Sequence, residues 1–247
     1  LVLRAGVEGQ DDGLGLEVVG WGVGEESWNV DYRVLYGDPA QEDVWKQLDE
    51  VFMGTYMHVA GYRLRISAMC IDTGGHHTQQ VYAFVKPRQT ARVFAIKGAN
   101  QPGRPVVGRP SKNNAMRVTL FTLGVDTAKE VVFTRLKITE FGYGYMHFPV
   151  ERDDEYFAQL TAEKPVTKFI RGRQTRVWVK KRARNEALDC RIYALAALYI
   201  LNPNLKVISE KMGEKAEEVK AEREEKKVTK KQLHVPRRRS GGFISNW

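Results

Sequence analysis

The chain has 247 residues, 43% of them hydrophobic, enough to bury one sizeable core, and its 39 Lys and Arg against 30 Asp and Glu give a formal charge of +9. That excess favours a polyanionic partner and, with no long apolar span in the sequence, argues for nucleic acid over a membrane. Two cysteines, Cys70 and Cys190, both inside apolar runs, are too few for a disulfide-dense secreted scaffold, so reduced, buried thiols in a cytosolic protein are expected.

Leu1 to Glu8, Leu14 to Gly22 and Trp28 to Tyr36 are apolar or alternating runs separated by the turn formers Asp11-Asp12-Gly13 and Gly24-Glu25-Glu26, which predicts an antiparallel three-stranded meander. From Gln41 to about Val59 the period changes, with Val44, Leu48, Val51 and Phe52 at helical spacing. Leu64 to Ile71 reads as a strand ending at Asp72, His77 to Lys86 as a helix, Arg92 to Ile96 as a strand, and Gly98 to Ala115 as a Pro- and Gly-broken basic loop. Met116 to Leu123 reads as another strand, Asp126 to Leu136 as a helix capped by Asp126 or Thr127, and Asp153 to Ala162 as a short helix. Pro165 to Lys180 holds Arg171-Gly172-Arg173 between β-prone runs, a hairpin pattern. Asn185 to Leu201, apolar around most of its circumference, is expected to be a central helix.

A strand meander, then alternating helices and strands, then a buried closing helix is the order of a ribonuclease H-like α/β fold, a mixed sheet flanked by helices. We place this domain at residues 1–201 and a basic, flexible C-terminal tail at 202–247. From Leu205 onward 12 Lys and Arg stand against 7 Asp and Glu, so this stretch supplies +5 of the +9 with little apolar material.

Three acidic signatures carry the chemistry: Val7-Glu8-Gly9-Gln10-Asp11-Asp12, Cys70-Ile71-Asp72-Thr73-Gly74-Gly75-His76-His77, and Arg184-Asn185-Glu186-Ala187-Leu188-Asp189-Cys190. Each sets a carboxylate at the edge of an apolar element, from where dispersed acids can converge on divalent cations. Asp72 ends a strand before Gly74-Gly75, which keeps side-chain bulk away; capping the next helix is its simpler role. Asp189 sits in an otherwise apolar helix one turn after Glu186, where an acid needs a metal, solvent or a partner such as Arg184. Basic residues accompany the acids: Lys97, Arg104, Arg109 and Lys112 around the mid-chain loop, and Arg173, Arg176, Lys180 and Lys181 leading into the Asp189 helix. Singly each is a solvated face; as runs beside an acidic site they suit a DNA backbone. His76, His77 and Glu186 are expected to support the site from behind, although two histidines at a helix start also serve as plain polar caps.

Leu16-Glu17-Val18-Val19-Gly20-Trp21-Gly22, Gly24-Glu25-Glu26-Ser27-Trp28, Ile71-Asp72-Thr73-Gly74-Gly75, Ile96-Lys97-Gly98, Asp126-Thr127-Ala128-Lys129-Glu130, His147-Phe148-Pro149, Gln159-Leu160-Thr161-Ala162-Glu163 and Asn185-Glu186-Ala187-Leu188-Asp189-Cys190, taken in order, resemble the nuclease half of lambda-type (GpA family) phage terminase large subunits. The resemblance implies an endodeoxyribonuclease that uses Mg²⁺ or Mn²⁺ in a two-metal phosphodiester hydrolysis and cuts concatemeric viral DNA during genome packaging. It implies Glu8, Asp72 and Asp189 as catalytic residues and metal ligands. The implied partners are double-stranded DNA, the terminase small subunit and the portal protein, the implied location the host cytoplasm, and no membrane is involved. The chain opens inside a strand without an initiator Met, which reads as a fragment, and the resemblance implies an ATPase domain before it. No phosphate loop is present: Gly103 to Gly108 continues as Arg109-Pro110 where Lys and Ser or Thr are needed. Glu8 stands where the family carries aspartate, so the alternative reading is a catalytically impaired DNA-binding or assembly module of the same fold.

Overall fold

The computed structural model describes residues 1–99, 101–112, 114–170 and 172–233. The meander comes first, as β1 (Val2–Gln10), β2 (Gly13–Trp21) and β3 (Ser27–Tyr36). Then come α1 (Glu42–Met53), a two-residue pair of strands, β4 (Tyr56–Met57) and β5 (Arg63–Leu64), and β6 (Ile66–Asp72). The middle of the chain supplies α2 (Thr78–Val85), β7 (Val93–Gly98), β8 (Val107–Ser111), β9 (Leu120–Leu123) and α3 (Val125–Arg135). Last come β10 (Met146–His147), α4 (Asp154–Leu160), the hairpin β11 (Glu163–Ile170) and β12 (Arg173–Lys180), α5 (Glu186–Leu201) and α6 (Leu205–Leu233).

Eight strands form one mixed sheet in the order β10-β3-β2-β1-β6-β7-β9-β8. The meander is antiparallel, while β1, β6, β7 and β9 run parallel and so end at a common edge. An antiparallel meander continued by parallel strands, with helices on both faces, is the ribonuclease H-like arrangement that the element order predicts.

The pleat sorts each strand between two cores. Leu3, Ala5 and Val7 of β1 join Met69 and Ile71 of β6 beneath α1 and α2. On the other face Val2 and Val19 join Ala68 and Cys70 beneath α3, α4 and α5. Continuing this alternation by one residue puts Glu8 and Asp72 on the α5 face. Gly6 lets α5 lie against the sheet there: a Cβ at that position would sit 2.0 Å from the Cys190 carbonyl oxygen.

Several elements differ from the sequence expectation, among them the unexpected short strands β4, β5 and β10 and a β9 that starts at Leu120 instead of Met116. β8 lies inside the predicted loop and contains Pro110, which an outermost strand tolerates because one side of it needs no ladder donor. α1 stops at Met53, before Gly54, rather than near Val59. α3 is preceded by Gly124 with no side-chain cap; Thr127 Oγ1 instead donates to the Arg104 carbonyl at 2.6 Å. The charged stretch expected as a tail is helical from Leu205 to Leu233, rich in the good helix formers Glu and Lys. Its first turns place Leu205 and Ile208 against the α5-side core. Arg237, Arg238, Arg239, Phe243 and Trp247, also assigned to the tail, lie outside the described residues. Among the described residues no single helix is long and apolar enough to cross a membrane.

Candidate active site

Glu8 follows the last registered residue of β1, Val7, whose parallel partner is Ile71, so Glu8 and Asp72 emerge side by side from adjacent strands about 5 Å apart. α5 crosses above them and lays its first turn, carrying Asp189, over the same edge. The helix is hydrophobic nearly all round, with Ala187, Leu188, Ile192 and Ala194 to Leu198 buried, so its position is set by packing. Its amino-terminal end favours nearby negative charge.

Asp72 and Asp189 both act on Glu8, and Asp72 acts on Asp189. Burial first, then the Asp72 and Asp189 charges, push Glu8 up to about 9. Burial raises Asp189 to about 7, with Glu163 and Asp72 adding to it and Lys129 and Lys180 opposing it. Asp72 is also raised, by burial, against the backbone N–H groups of Gly74 and Thr73 and the charge of Lys97. The Gly74 N–H donates to Asp72 Oδ2 at 2.8 Å, and a Cβ on Gly74 would stand 2.9 Å from that oxygen, so glycine is needed there to leave the carboxylate in place.

Asp189 is held by a set of partners that sequence reasoning missed. Asn185 Nδ2 donates to Asp189 Oδ2 at 2.7 Å and to Glu163 Oε1 at 3.2 Å, while Lys180 Nζ donates to Asn185 Oδ1 at 2.8 Å. The buried Lys129 pairs with Glu163 Oε2 at 2.7 Å. The base of the β11–β12 hairpin, where Glu163 pairs in register with Lys180, is thereby tied to the first turn of α5. The buried Tyr193 hydroxyl lies against Glu8, where it favours the charged form. Glu8 Oε2 is itself buried with no hydrogen-bond partner.

The remaining predicted residues divide. Glu186 is not turned toward Asp189: its Oε1 pairs with Arg184 Nε at 3.2 Å, so the partner considered for Asp189 belongs to its neighbour. His76 Nδ1 meets Asp11 Oδ1 at 3.1 Å in the open, and His77 precedes α2 without a side-chain cap. His76 and His77 line a small recess with Asp72 and Gly9. Lys97 and Lys180 act electrostatically on Asp72 and Asp189 respectively. Arg104 shares their edge of the sheet, because Val107 pairs with Leu123 at the end of β9; its guanidinium is hydrogen-bonded to Gln101. Arg109 lies midway along β8, and Lys112 follows Ser111, the partner of Leu120, toward the opposite end. Arg176 pairs loosely with Glu130 at 3.7 Å, and Lys181 is exposed. Arg173 lies on β12 with its side chain outside the described residues, as is Arg171 entirely.

Among the described residues no group of three or more His, Cys, Asp or Glu side chains is already gathered closely enough to hold a metal ion. The donor types nevertheless suit one: three carboxylates, with a partnerless buried oxygen on Glu8, offer the oxygen ligands that Mg²⁺ or Mn²⁺ takes.

The fold thus brings desolvated acids from two parallel strands and a helix to one edge of an α/β sheet. Residues 1–212 match the family described as "Terminase large subunit gpA, endonuclease domain", and the chain belongs to that family. It is 42% identical over 205 residues to the terminase large subunit of Escherichia phage lambda, covering 80% of this chain and 32% of that protein. It is 36% identical over 208 residues to the terminase large subunit of Enterobacteria phage P21, again covering 80% and 32%. The chain thus spans about a third of the length of these relatives. Among solved structures, the nuclease domain of the large terminase subunit gp2 of bacterial virus Sf6, with manganese, aligns at a TM-score of 0.47 and 13% identity, covering 79% of this chain and 88% of that one. The same domain with manganese and beta-thujaplicinol aligns at 0.46 and 13%, covering 80% and 88%.

Proposed function

We propose that this domain hydrolyses phosphodiester bonds of double-stranded DNA with Glu8, Asp72 and Asp189 as ligands of divalent cations, Mg²⁺ or Mn²⁺. The observation that supports the reading is the placement of these acids at one sheet edge, where Asp72 and Asp189 raise the pKa of Glu8 and Asp72 raises that of Asp189. Bound cations would activate water and offset charge on the leaving oxygen. The chain's own residues do the rest. Asn185 and the Lys129–Glu163 pair hold Asp189 in one orientation, and Gly74 holds Asp72. Ligand orientation by such partners typically carries about 10–100-fold in metal affinity or activity. Lys97 and Lys180, exposed beside the acids, would contact the flanking phosphates and set the strand's position without reading its sequence.

Within the longer protein the domain would cut concatemeric viral DNA into genome units in the infected host's cytoplasm, together with an ATPase domain, the small subunit and the portal. The test is plasmid nicking with Mg²⁺, Mn²⁺ or EDTA. Cation-dependent conversion of supercoiled to open-circular DNA is expected, and the same conversion in EDTA or by Asp72→Asn would refute the assignment.

A further inference from the structure

At the other edge of the sheet, where β1, β6 and β7 begin, lies a cavity of about 580 Å³. Among the described residues the charged side chains that line it are all cationic: Arg4, Arg63, Arg65, Arg92 and Lys215 face it, and no Asp or Glu does. Among the described residues none of these cations is in an ion pair. Arg4 forms the floor and is only 2% exposed. Its Nη1 donates to the Leu3 carbonyl at 3.2 Å and to Ser67 Oγ, while its buried Nε has no acceptor. Burial, then the nearby charge of Arg92, pulls the guanidinium down to about 10.

A buried cation without a counter-charge is costly, and the exposed Arg63, Arg65, Arg92 and Lys215 around Arg4 add like charge instead of relieving it. The carbonyls at the end of α5 are close, since Leu201 and Pro203 line the cavity, yet a helix terminus offers only about half an elementary charge. That is too little to balance Arg4 beside Arg92. A phosphate balances both, because its oxygens accept from guanidinium forks in matching geometry. Depth sets the size of the molecule that bears it. A side chain 2% exposed lies beneath the reach of a duplex backbone, whereas a small molecule can enter. The volume falls in the ~300–1,000 Å³ range of small-molecule sites, and Leu64, Ile208 and Met212 supply apolar wall beyond the cations.

We propose that this cavity binds a small phosphate-bearing molecule, its phosphate between Arg4 and Arg92 and any organic body against Leu64, Ile208 and Met212. The site uses no residue of the carboxylate cluster: Arg4 and Glu8 lie on the same strand four positions apart, about 13 Å.

The test is calorimetric titration of the 247-residue chain with inorganic phosphate, with phenyl phosphate, and with chloride at matched ionic strength. Saturable binding of phosphate but not chloride is expected. Tighter binding of phenyl phosphate identifies an organic phosphate as the ligand, and equal affinity identifies free phosphate. Arg4→Met should abolish binding. Arg63→Ser/Arg92→Ser, altered at the rim where folding is not at stake, should weaken it at least tenfold, and Asp72→Asn should leave it unchanged while removing nicking. Phosphate heats no larger than those of chloride, undiminished affinity in the rim variant, or displacement of phenyl phosphate by a short DNA duplex would each overturn the proposal, the last by making the cavity part of the DNA surface.

Discussion

Gly6→Ala is the sharpest perturbation of the geometry on which the site depends. The added Cβ would stand 2.0 Å from the Cys190 carbonyl oxygen, 2.5 Å from the Ala194 nitrogen and 2.8 Å from Tyr193 Cβ, and all three belong to α5. The first of these falls 1.4 Å short of the 3.4 Å at which ordinary contact begins. Two of the contacts are backbone, so no rotamer change relieves them and the helix must lift from β1. Overpacking of this kind costs about 1–3 kcal/mol and occasionally more. At about 2–4 °C per kcal/mol for a domain of this size, a loss of about 3 kcal/mol lowers the melting temperature by about 6–12 °C. Lifting α5 carries Asp189 away from Glu8 and Asp72, and a displacement near 1 Å at a catalytic group is worth about a hundredfold in rate. Calorimetric melting and plasmid nicking, measured side by side well below the melting temperature, read both consequences. Gly213→Ala is the control, since nothing lies within 4 Å of its Cβ on α6, and alanine there should stabilise by up to about 1 kcal/mol. A Gly6→Ala protein that melts within 2 °C of the parent and nicks at its rate would refute the close approach of α5.

Asn185→Ala removes the donor to Asp189 and the acceptor of Lys180, so nicking should fall about 10–100-fold, with metal affinity falling alongside; unchanged affinity would mean that Asp189 needs no orientation. The acids also set a pH dependence of metal-free stability. Glu8 moves from 4.5 when unfolded to about 9 when folded, and Asp189 from 3.8 to about 7. Between those limits the folded state holds protons that the unfolded chain has released, so stability is greatest at the acid end and is lost as pH rises, by at most about 1.4 kcal/mol per pH unit per group. Urea unfolding in EDTA from pH 6 to 9 should show this decline and Glu8→Gln should flatten it; a parent slope of zero contradicts the desolvated cluster. Truncation after Met212 should keep Leu205 and Ile208 on the core and leave the melting temperature within a few degrees, whereas truncation after Leu201 should lower it; equal melting of the two would show that α6 adds nothing to the body.

The meander, the hairpin and α5 were legible in the sequence because each is a long run with one period and clear turn residues at its ends. β8 was not, since Pro110 and Gly108 are loop signals that an outermost strand accepts for lack of a second neighbour. Glu8, Asp72 and Asp189 stood out because acids at the ends of apolar runs are conspicuous. Glu163, Lys129 and Asn185 did not: their roles come from a hairpin base meeting two helices, a juxtaposition with no local periodicity. Arg4 was equally hidden, one basic residue in a β-prone run until the fold buries it beside Arg92. Helicity of the charged C-terminal stretch was within reach of composition alone, since Glu and Lys dominate it, but low hydrophobicity argued for disorder first.

The central claim is that Glu8, Asp72 and Asp189 form one cation site, and Mn²⁺ titration of the intact chain followed by electron paramagnetic resonance tests it most directly. Saturable binding that is lost in each of Glu8→Gln, Asp72→Asn and Asp189→Asn, all three still folded, is the predicted result. Parent-like Mn²⁺ binding in any one of the three would contradict the account, because that carboxylate would then lie outside the site.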